Sequence, residues 1–304
     1  MAKSASMLPA QKKRRNQEEQ NIFLGAHFSI AGGLQKALLT AQAYGCTALQ
    51  IFTKNASTWK ERRLSTQEIE QFQAVRNDSG VRSICTHAGY LINLASPDQR
   101  KYEKSVMALE HELVRSCQLG ITDVIIHPGA HMGMGEEKGL RRIADGIHRV
   151  FDHVPENPCR VLLETTAGQG SNVGYTFAHL AAIVDMVGDD DRLGVCFDTC
   201  HVFAAGYDLR TKTAYTQTMK AFDKALGLER LRVMHLNDAK KGLGSRSDRH
   251  EHMGEGHIGI EAFRLIMNDP RLKAIPKIIE TPKEKGPVDH DRLNLERLRS
   301  LLQH

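Results

Sequence analysis

Eight short β-rich runs, each followed by a segment with helical spacing, predict an α/β fold in which eight parallel strands close into a barrel. Two further observations support this class: the connections are short, and the strand ends carry residue types that bind metals. The strand candidates, in chain order, are Ile22–His27, Thr47–Phe52, Val81–His87, Thr122–His127, Arg160–Glu164, Leu193–Asp198, Leu231–Leu236 and Pro276–Thr281. We therefore predict a (β/α)8 TIM barrel with its site at the C-terminal face of the strands.

The segments between these strands have the features of helices. Apolar residues recur with helical spacing at Leu34, Ala37, Leu38 and Ala41, and again at Val106, Leu109, Leu113 and Cys117. Ser65 with Glu68 has the spacing of a capping box, and Ser96-Pro97 predicts a helix start with proline in the first turn. Gly45, Gly80 and Gly120 each precede a predicted strand closely, which is typical of helix ends that need a left-handed residue.

The chain of 304 residues, 41% of them hydrophobic, is long enough to bury a large core. We see no internal linker and predict a single domain over residues 21–304, preceded by a flexible basic tail at residues 1–20. A doubly wound open sheet is the structural alternative. It is disfavoured because no glycine-rich phosphate loop follows any of the predicted strands.

Composition indicates a protein of a reducing compartment. The formal charge of +5 suits an anionic partner but favours nucleic acid only weakly. The six cysteines have neither CxxC pairing nor the spacing of a secreted disulfide scaffold. No apolar stretch approaches the ~20 residues that span a bilayer, and the N-terminus has no hydrophobic signal core. We expect an intracellular, cytoplasmic protein without a membrane segment.

Six of the predicted strands end in a residue type that can bind a metal: His87, His127, Glu164, Asp198, His235 and Glu280. In a parallel barrel these side chains converge on one face, so metal chemistry is the first hypothesis. Imidazole and carboxylate ligands without cysteine suit zinc, manganese or iron, and the histidines favour zinc. More than four ligands indicates more than one metal.

Three further residues extend this set beyond the strand ends. His201 follows Asp198 by three residues, so the two could share a helical turn or serve adjacent metals. Asp248 and His250 alternate along an extended segment, which points both the same way and turns Arg249 elsewhere. The surrounding residues 237–257 form a polar, glycine-rich loop, in the position where barrel enzymes place substrate loops.

The motifs of this chain, in order from residue 22 to the C-terminus, resemble those of the endonuclease IV family of apurinic/apyrimidinic DNA-repair enzymes. They include residues 25–33 (GAHFSIAGG), 87–94 (HAGYLINL), 127–129 (HPG), 163–170 (LETTAGQG), 197–201 (FDTCH), 248–250 (DRH) and 280–282 (ETP). The resemblance implies three zinc ions. Their expected ligand sets are His87, His127 and Glu164; Glu164, Asp198, His235 and Glu280; and His201, Asp248 and His250.

The same resemblance implies the reaction. The enzyme is expected to hydrolyse the phosphodiester 5′ to an abasic site in double-stranded DNA during base excision repair, leaving a 3′-hydroxyl and a 5′-deoxyribose phosphate. Metal coordination makes the nucleophile available near neutral pH, because it lowers the pKa of water from ~15.7 toward ~7. Glu164 is the expected catalytic residue, since it would bridge two zincs and hold their spacing. Manganese or iron could substitute for zinc.

Recognition of a lesion that has no base is expected to depend on DNA shape. Tyr90 matches the family position that wedges into the base stack, and Lys54, Asn55 and Arg249 are candidate phosphate contacts. Residues 56–58 contain no counterpart of the family's DNA-inserting arginine. His27 is expected to donate or accept a hydrogen bond at the site rather than bind a metal. We expect the enzyme to act as a monomer.

Two alternatives share some of these features. A sugar-isomerase-like barrel enzyme would have the same fold and a carboxylate/histidine metal pair, but would have no need of a third metal group. A non-catalytic, metal-stabilised binding protein would need closed coordination. Nine ligands shared among three metals leave open positions, which argues against a purely structural role.

Overall fold

The computed structural model of the chain describes residues 22–188, 190–283 and 287–303, so the tail predicted for residues 1–20 lies outside the described residues. The strands are β1 Leu24–His27, β2 Ala48–Ile51, β3 Ser83–His87, β4 Asp123–Ile126, β5 Arg160–Glu164, β6 Leu193–Asp198, β7 Leu231–His235, β8 Asp238–Ala239, β9 His250–Glu251 and β10 Lys277–Ile279. Eight of them run parallel and close into a barrel, in the order β1-β10-β7-β6-β5-β4-β3-β2. The predicted barrel is confirmed. β8 and β9 stand apart from it as a two-stranded antiparallel sheet, which the sequence did not indicate.

Helices follow every barrel strand and surround the barrel. They are α1 Leu34–Ala43, α2 Thr66–Asp78, α3 Gln99–Gln118, α4 Glu136–His153, α5 Phe177–Val187, α6 Thr199–Ala205, α7 Lys212–Leu226, α8 Ile260–Met267 and α9 His290–Ser300. Their inner faces pack on the outside of the strands in one large apolar cluster. None of the helices in the described ranges is long and apolar enough to cross a membrane.

Most of the local sequence signals predicted the helix boundaries correctly, and one did not. Ser65 and Glu68 form the predicted capping box at the start of α2. The three predicted end glycines have the left-handed backbone that this position requires, with φ of 63°, 71° and 68° at Gly45, Gly80 and Gly120. The start predicted at Ser96-Pro97 is wrong by two residues. Asp98 caps α3 instead, because its side chain accepts a hydrogen bond from the Lys101 N–H at 3.0 Å.

A small second core fills the inside of the barrel. It consists of one residue from each of seven strands: Ala48, Cys85, Ile125, Leu162, Cys196, Val233 and Ile278. Successive side chains of a strand point to opposite faces, so the residue two positions later also points inward, one layer closer to the C-terminal face. Those residues are Gln50, His87, His127, Glu164, Asp198, His235 and Glu280. The apolar layer is therefore the floor on which a polar layer is built.

Candidate metal centre

The polar layer and the loops above it bring nine histidine and carboxylate side chains together in three groups. Within each group the ligand atoms lie within 4.8 Å of one another. The groups are His87, His127 and Glu164; Glu164, Asp198, His235 and Glu280; and His201, Asp248 and His250. They coincide with the three sets expected from the resemblance, and Glu164 is common to the first two. The binding of metal by these groups stays a prediction.

The last of these groups combines a short helix with the β8–β9 hairpin. Asp198 ends β6 and caps α6, since its Oδ1 accepts a hydrogen bond from the His201 N–H at 2.8 Å. The first turn of α6 therefore fixes the spacing between these two ligands. Asp248 precedes β9 and His250 is its first residue, and both point toward His201. Asp248 Oδ1 lies 3.1 Å from His201 Nε2 and 3.5 Å from His250 Nε2.

Donor spacing in the groups fits a tetrahedral zinc. Ligand bonds of about 2.0–2.1 Å separate adjacent donor atoms by roughly 3.3 Å. Glu164 Oε2 lies 3.1 Å from His87 Nε2 and 3.0 Å from His127 Nε2. Glu280 Oε2 lies 3.2 Å from His235 Nδ1. Small adjustments of these side chains would place a zinc ion between them.

Four of the five histidines are oriented as metal ligands usually are. One ring nitrogen of each faces a protein oxygen that can accept its hydrogen, and the other nitrogen points into a ligand group, where a metal would take the place of its proton. The donors and acceptors are His87 Nδ1 to Ala88 O at 2.8 Å, His201 Nδ1 to Thr165 O at 2.8 Å, His235 Nε2 to Gln50 Oε1 at 2.7 Å, and His250 Nδ1 to Glu280 O at 3.0 Å. The Nε2 atoms of His201 and His250 are buried, and although they lie 3.1 and 3.5 Å from Asp248 Oδ1, neither makes a well-aligned hydrogen bond among the described residues. A cation would satisfy both atoms.

Electrostatics favour a negative Glu164 and a positive His201 in this site. Burial opposes the ionisation of Glu164, but His235 and His127 outweigh it and hold the pKa of Glu164 well below its usual value. Burial likewise opposes the protonation of His201, but Asp198 and Asp248 raise the pKa of this histidine well above its usual value. The site thus stabilises positive charge among buried carboxylates. Two thiols also lie near the groups, but burial raises the pKa of Cys196 to about 12 and that of Cys200 further, which makes them poor ligands.

Two residues that sequence reasoning missed hold the ligands in place. Gln50 is fully buried, and its amide nitrogen donates to Glu280 Oε1 at 2.5 Å while its oxygen accepts from His235. Asn237 donates to Asp198 Oδ2 at 2.7 Å and accepts from the Glu280 N–H at 2.8 Å. A signal for Gln50 was available: it is the one polar residue in the buried strand Ala48–Ile51.

His27, from β1, completes the polar layer. Its Nδ1 accepts a hydrogen bond from Gln50 Nε2 at 2.9 Å and lies 3.4 Å from Glu280 Oε1. Burial lowers the pKa of His27, which keeps the ring neutral. In the described structure His27 belongs to none of the three groups, in agreement with the hydrogen-bonding role expected from sequence.

A cleft of about 470 Å³ opens above the centre at the C-terminal face of the barrel. Tyr90 lies on its rim as a 68% exposed residue, and its ring centroid is 5.4 Å from that of Phe52. Arg249 is exposed and also lines this cleft. Asn55 is exposed on the loop after β2, where its side chain accepts from the Ser57 N–H at 2.9 Å. A second cleft of about 650 Å³ lies beside α3 and is lined by none of the nine ligands.

Lys54 has a different place from the one expected of a phosphate contact. Its side chain is only 6% exposed, and its ammonium donates to Thr58 O at 2.6 Å and lies 3.5 Å from the Glu61 carboxylate. Glu61 in turn pairs with Arg115 of α3. These contacts hold the loop after β2 against the barrel. In this structure Lys54 therefore supports this loop, and its contact with a DNA phosphate stays a prediction.

Comparison with known proteins gives consistent results for the whole barrel. The family model of xylose isomerase-like TIM barrels matches residues 38–301. A protein of Chloroflexus aggregans named probable endonuclease 4 is 49% identical over 279 residues, which are 92% of this chain and 97% of the relative.

Solved structures show the same relationship. The crystal structure of endonuclease IV from Thermus thermophilus superposes with a TM-score of 0.81 at 40% identity, covering 91% of this chain and 98% of that chain. A D-tagatose 3-epimerase-like protein superposes with a TM-score of 0.69 at 19% identity, covering 92% and 96% of the two chains. At that identity only the fold is shared.

Proposed function

This chain belongs to the endonuclease IV family of xylose isomerase-like TIM barrels, and we propose that it hydrolyses the phosphodiester bond 5′ to abasic sites in double-stranded DNA with the help of three zinc ions. The reaction would serve base excision repair inside the cell. Its products would be a 3′-hydroxyl and a 5′-deoxyribose phosphate. The enzyme would act as a monomer, and one chain supplies all nine candidate ligands, so the centre needs no second copy to be complete.

The observation that carries this proposal is the third ligand group beside the other two. His201 Nε2 lies 3.1 Å from Asp248 Oδ1, and the Asp198 Oδ2 of the second group lies 3.8 Å from His250 Nε2. A barrel that acts on a small sugar with one or two metals has no need of this extra group. Hydrolysis of a phosphodiester does need the extra group, since negative charge develops on the phosphate oxygens and on the departing oxygen together. Bound zinc ions would supply Lewis acidity and a nucleophilic water near neutral pH.

Residues of the protein would hold the ligand groups together and fix their orientation. Glu164 holds the first two groups together through one fully buried carboxylate. Gln50 and Asn237 fix the orientation of His235, Asp198 and Glu280, so that the site needs little reorganisation when substrate binds. The buried layer of apolar residues beneath the ligands closes the barrel on its other side and leaves the cleft as the route of access.

DNA would bind across the C-terminal face. The exposed Tyr90 ring would fill the gap left by the missing base, which is cheapest where stacking is already lost. Arg249, which lines the cleft beside the third group, would contact the backbone near the scissile phosphate, and the exposed Asn55 would contact the backbone from the loop after β2. Because such contacts are mostly to phosphates, binding should weaken strongly with salt and depend little on flanking sequence.

The test is incision of a duplex that contains one abasic site. Protein stripped with a chelator should not cut this duplex, zinc should restore cutting on the 5′ side, and an intact duplex should stay uncut. Asp248→Asn should lose activity, whereas Asp145→Asn, on the exposed face of α4, should keep it. Absence of incision after zinc is restored, or equal incision of the intact duplex, would overturn the proposal.

A further inference from the structure

We propose that Arg246, Tyr175 and Glu136 form a brace that positions Asp248 for the third ligand group. Arg246 lies between β8 and β9, Tyr175 in the loop after β5 and Glu136 at the first residue of α4, and none of them lines the cleft above the metal centre. Their effect must therefore pass through other residues. The inference rests on the proposed function, because it concerns the zinc ion that the third group would hold.

The backbone of Arg246 is the first observation. Its φ is 53°, a left-handed conformation that non-glycine residues rarely adopt unless surrounding contacts hold them there. The Arg246 N–H donates to Ala204 O at 2.9 Å, and the Gly244 N–H donates to Phe203 O at 3.1 Å. Both acceptors belong to the last turn of α6, where carbonyl groups lack partners within the helix. This loop is thereby fixed to the helix that carries His201.

The side chain of Arg246 supplies the second link. Its guanidinium lies over the Tyr175 ring, 3.9 Å from the centroid. The Tyr175 hydroxyl donates to Glu136 Oε1 at 2.6 Å. Glu136 begins α4, where the positive end of the helix dipole favours a negative charge. The brace thus runs from a fixed helix end, through an aromatic ring, to the loop that carries Asp248.

The same loops are joined next to the ligand itself. The Asp248 N–H donates to Gln169 Oε1 at 3.1 Å, which ties Asp248 to the loop after β5. The loop after β5 packs so closely on the brace at Gly168 that a side chain would not fit, since a Cβ there would lie 2.4 Å from Arg246 Nη1 and 2.8 Å from Tyr175 Cγ. Asp248 is two residues from Arg246 and 38% exposed, so the packed centre holds it less firmly than the fully buried Glu164. The brace compensates for that exposure.

The experiment measures zinc content and zinc affinity by chelator competition, together with the melting temperature and the kinetics of incision. Arg246→Gly is the main variant, because glycine adopts a φ of 53° without strain and only the side chain is lost. It should release the most weakly held ion on the order of 10-fold more readily, the range seen when residues that orient ligands are removed. Two ions should stay bound, and the melting temperature should be unchanged.

Variants of Tyr175 distinguish its ring contact with the Arg246 guanidinium from its hydrogen bond to Glu136. Tyr175→Ala should match Arg246→Gly, and the double variant should be no worse than either, because both remove the same brace. Tyr175→Phe keeps the ring under Arg246 but loses the hydrogen bond to Glu136, so it should have a smaller effect. Lys241→Ala, exposed on the same loop, is the matched control and should behave as wild type.

Unchanged zinc affinity in Arg246→Gly, combined with a raised KM for DNA, would overturn the inference and make Arg246 a phosphate contact. Additive losses in the double variant, or equal loss of all three ions, would overturn it as well. If the wild-type chain holds fewer than three ions or does not cut abasic DNA, the proposed function fails and this inference fails with it. A wild type that holds three ions while the variants hold them equally tightly refutes the brace alone.

Discussion

Replacing Glu164 with glutamine tests the centre of the proposed mechanism. The carboxylate is fully buried and serves two ligand groups at once: Oε2 faces His87 and His127, and Oε1 lies 2.8 Å from His235 Nδ1. Glutamine has nearly the same shape but only one oxygen. Whichever way its amide turns, one group meets an NH2, whose hydrogens cannot face a cation.

The expected losses of zinc and of activity are large because the Glu164 carboxylate is shared by two ligand groups. The zinc content of Glu164→Gln should fall from three ions per chain to two or one, and the ion that remains beside the amide should be held less tightly because the bridging charge is gone. Loss of several kcal/mol of charge stabilisation at the phosphate corresponds to a rate on the order of a thousandfold lower or more. The fold should persist, because the volume of the side chain is conserved.

The assay pairs zinc analysis of the purified protein with single-turnover incision of abasic duplex at saturating enzyme. Glu112→Gln is the matched control, since Glu112 is a glutamate only 1% exposed that pairs with Arg115 outside the site. This control is expected to keep three zinc ions and wild-type turnover. Wild-type turnover with a full zinc content in Glu164→Gln would refute the assignment of Glu164 as the bridge.

Two further predictions concern the rim and the base of the barrel. Tyr90→Ala should weaken binding of abasic duplex about 10-fold, as expected for loss of one aromatic stacking contact. Tyr90→Phe should bind this duplex as the wild type does, and both variants should keep the wild-type zinc content. Wild-type binding by Tyr90→Ala would contradict the role of Tyr90 as a wedge. Lys277 is 1% exposed, and burial lowers its pKa from 10.5 to about 8. Its folded-state pKa lies below the unfolded value, so stability should rise by about 3 kcal/mol as pH increases from 8 to 10.5. Denaturant unfolding should show that Lys277→Met lacks this rise while the exposed Lys273→Met retains it, and a rise persisting in Lys277→Met would argue against burial as its cause.

The positions of the strands and of the six candidate ligands at their ends could be predicted because both depend on local patterns. Each ligand stands at the end of an apolar run, and strand alternation places it two residues after an inward-facing apolar residue, as Glu164 follows Leu162. The same rule identifies Gln50, which lies two residues after Ala48. It was overlooked since glutamine is a poor zinc ligand and its partners, His235 and Glu280, are distant in sequence.

Other features depend on contacts that no local pattern reveals. The β8–β9 hairpin pairs only two residues per strand and is fixed by Asp238, whose buried carboxylate accepts the N–H groups of Gly254, Gly256 and Ile258. The sequence suggested that the Lys54 ammonium is exposed to solvent, because it does not show how the loop folds. In the structure this ammonium donates to the Thr58 carbonyl and lies beside the Glu61 carboxylate. In both cases the sequence shows a polar residue in a polar loop, and only the fold decides whether it faces solvent or the protein.

The proposed centre would contain two kinds of metal site, because its candidate ligands come from two kinds of element. The first two groups are built from strand ends, and their donors rest on the close-packed apolar layer of the barrel, which deforms little. The third takes His201 from a short helix and Asp248 and His250 from the segment that leads into a two-stranded hairpin, so its geometry depends on loop contacts. Loops open locally at a lower free-energy cost than barrel strands do. The third zinc should therefore be the first to exchange, and changes in the loops should affect its occupancy before they affect the pair bridged by Glu164.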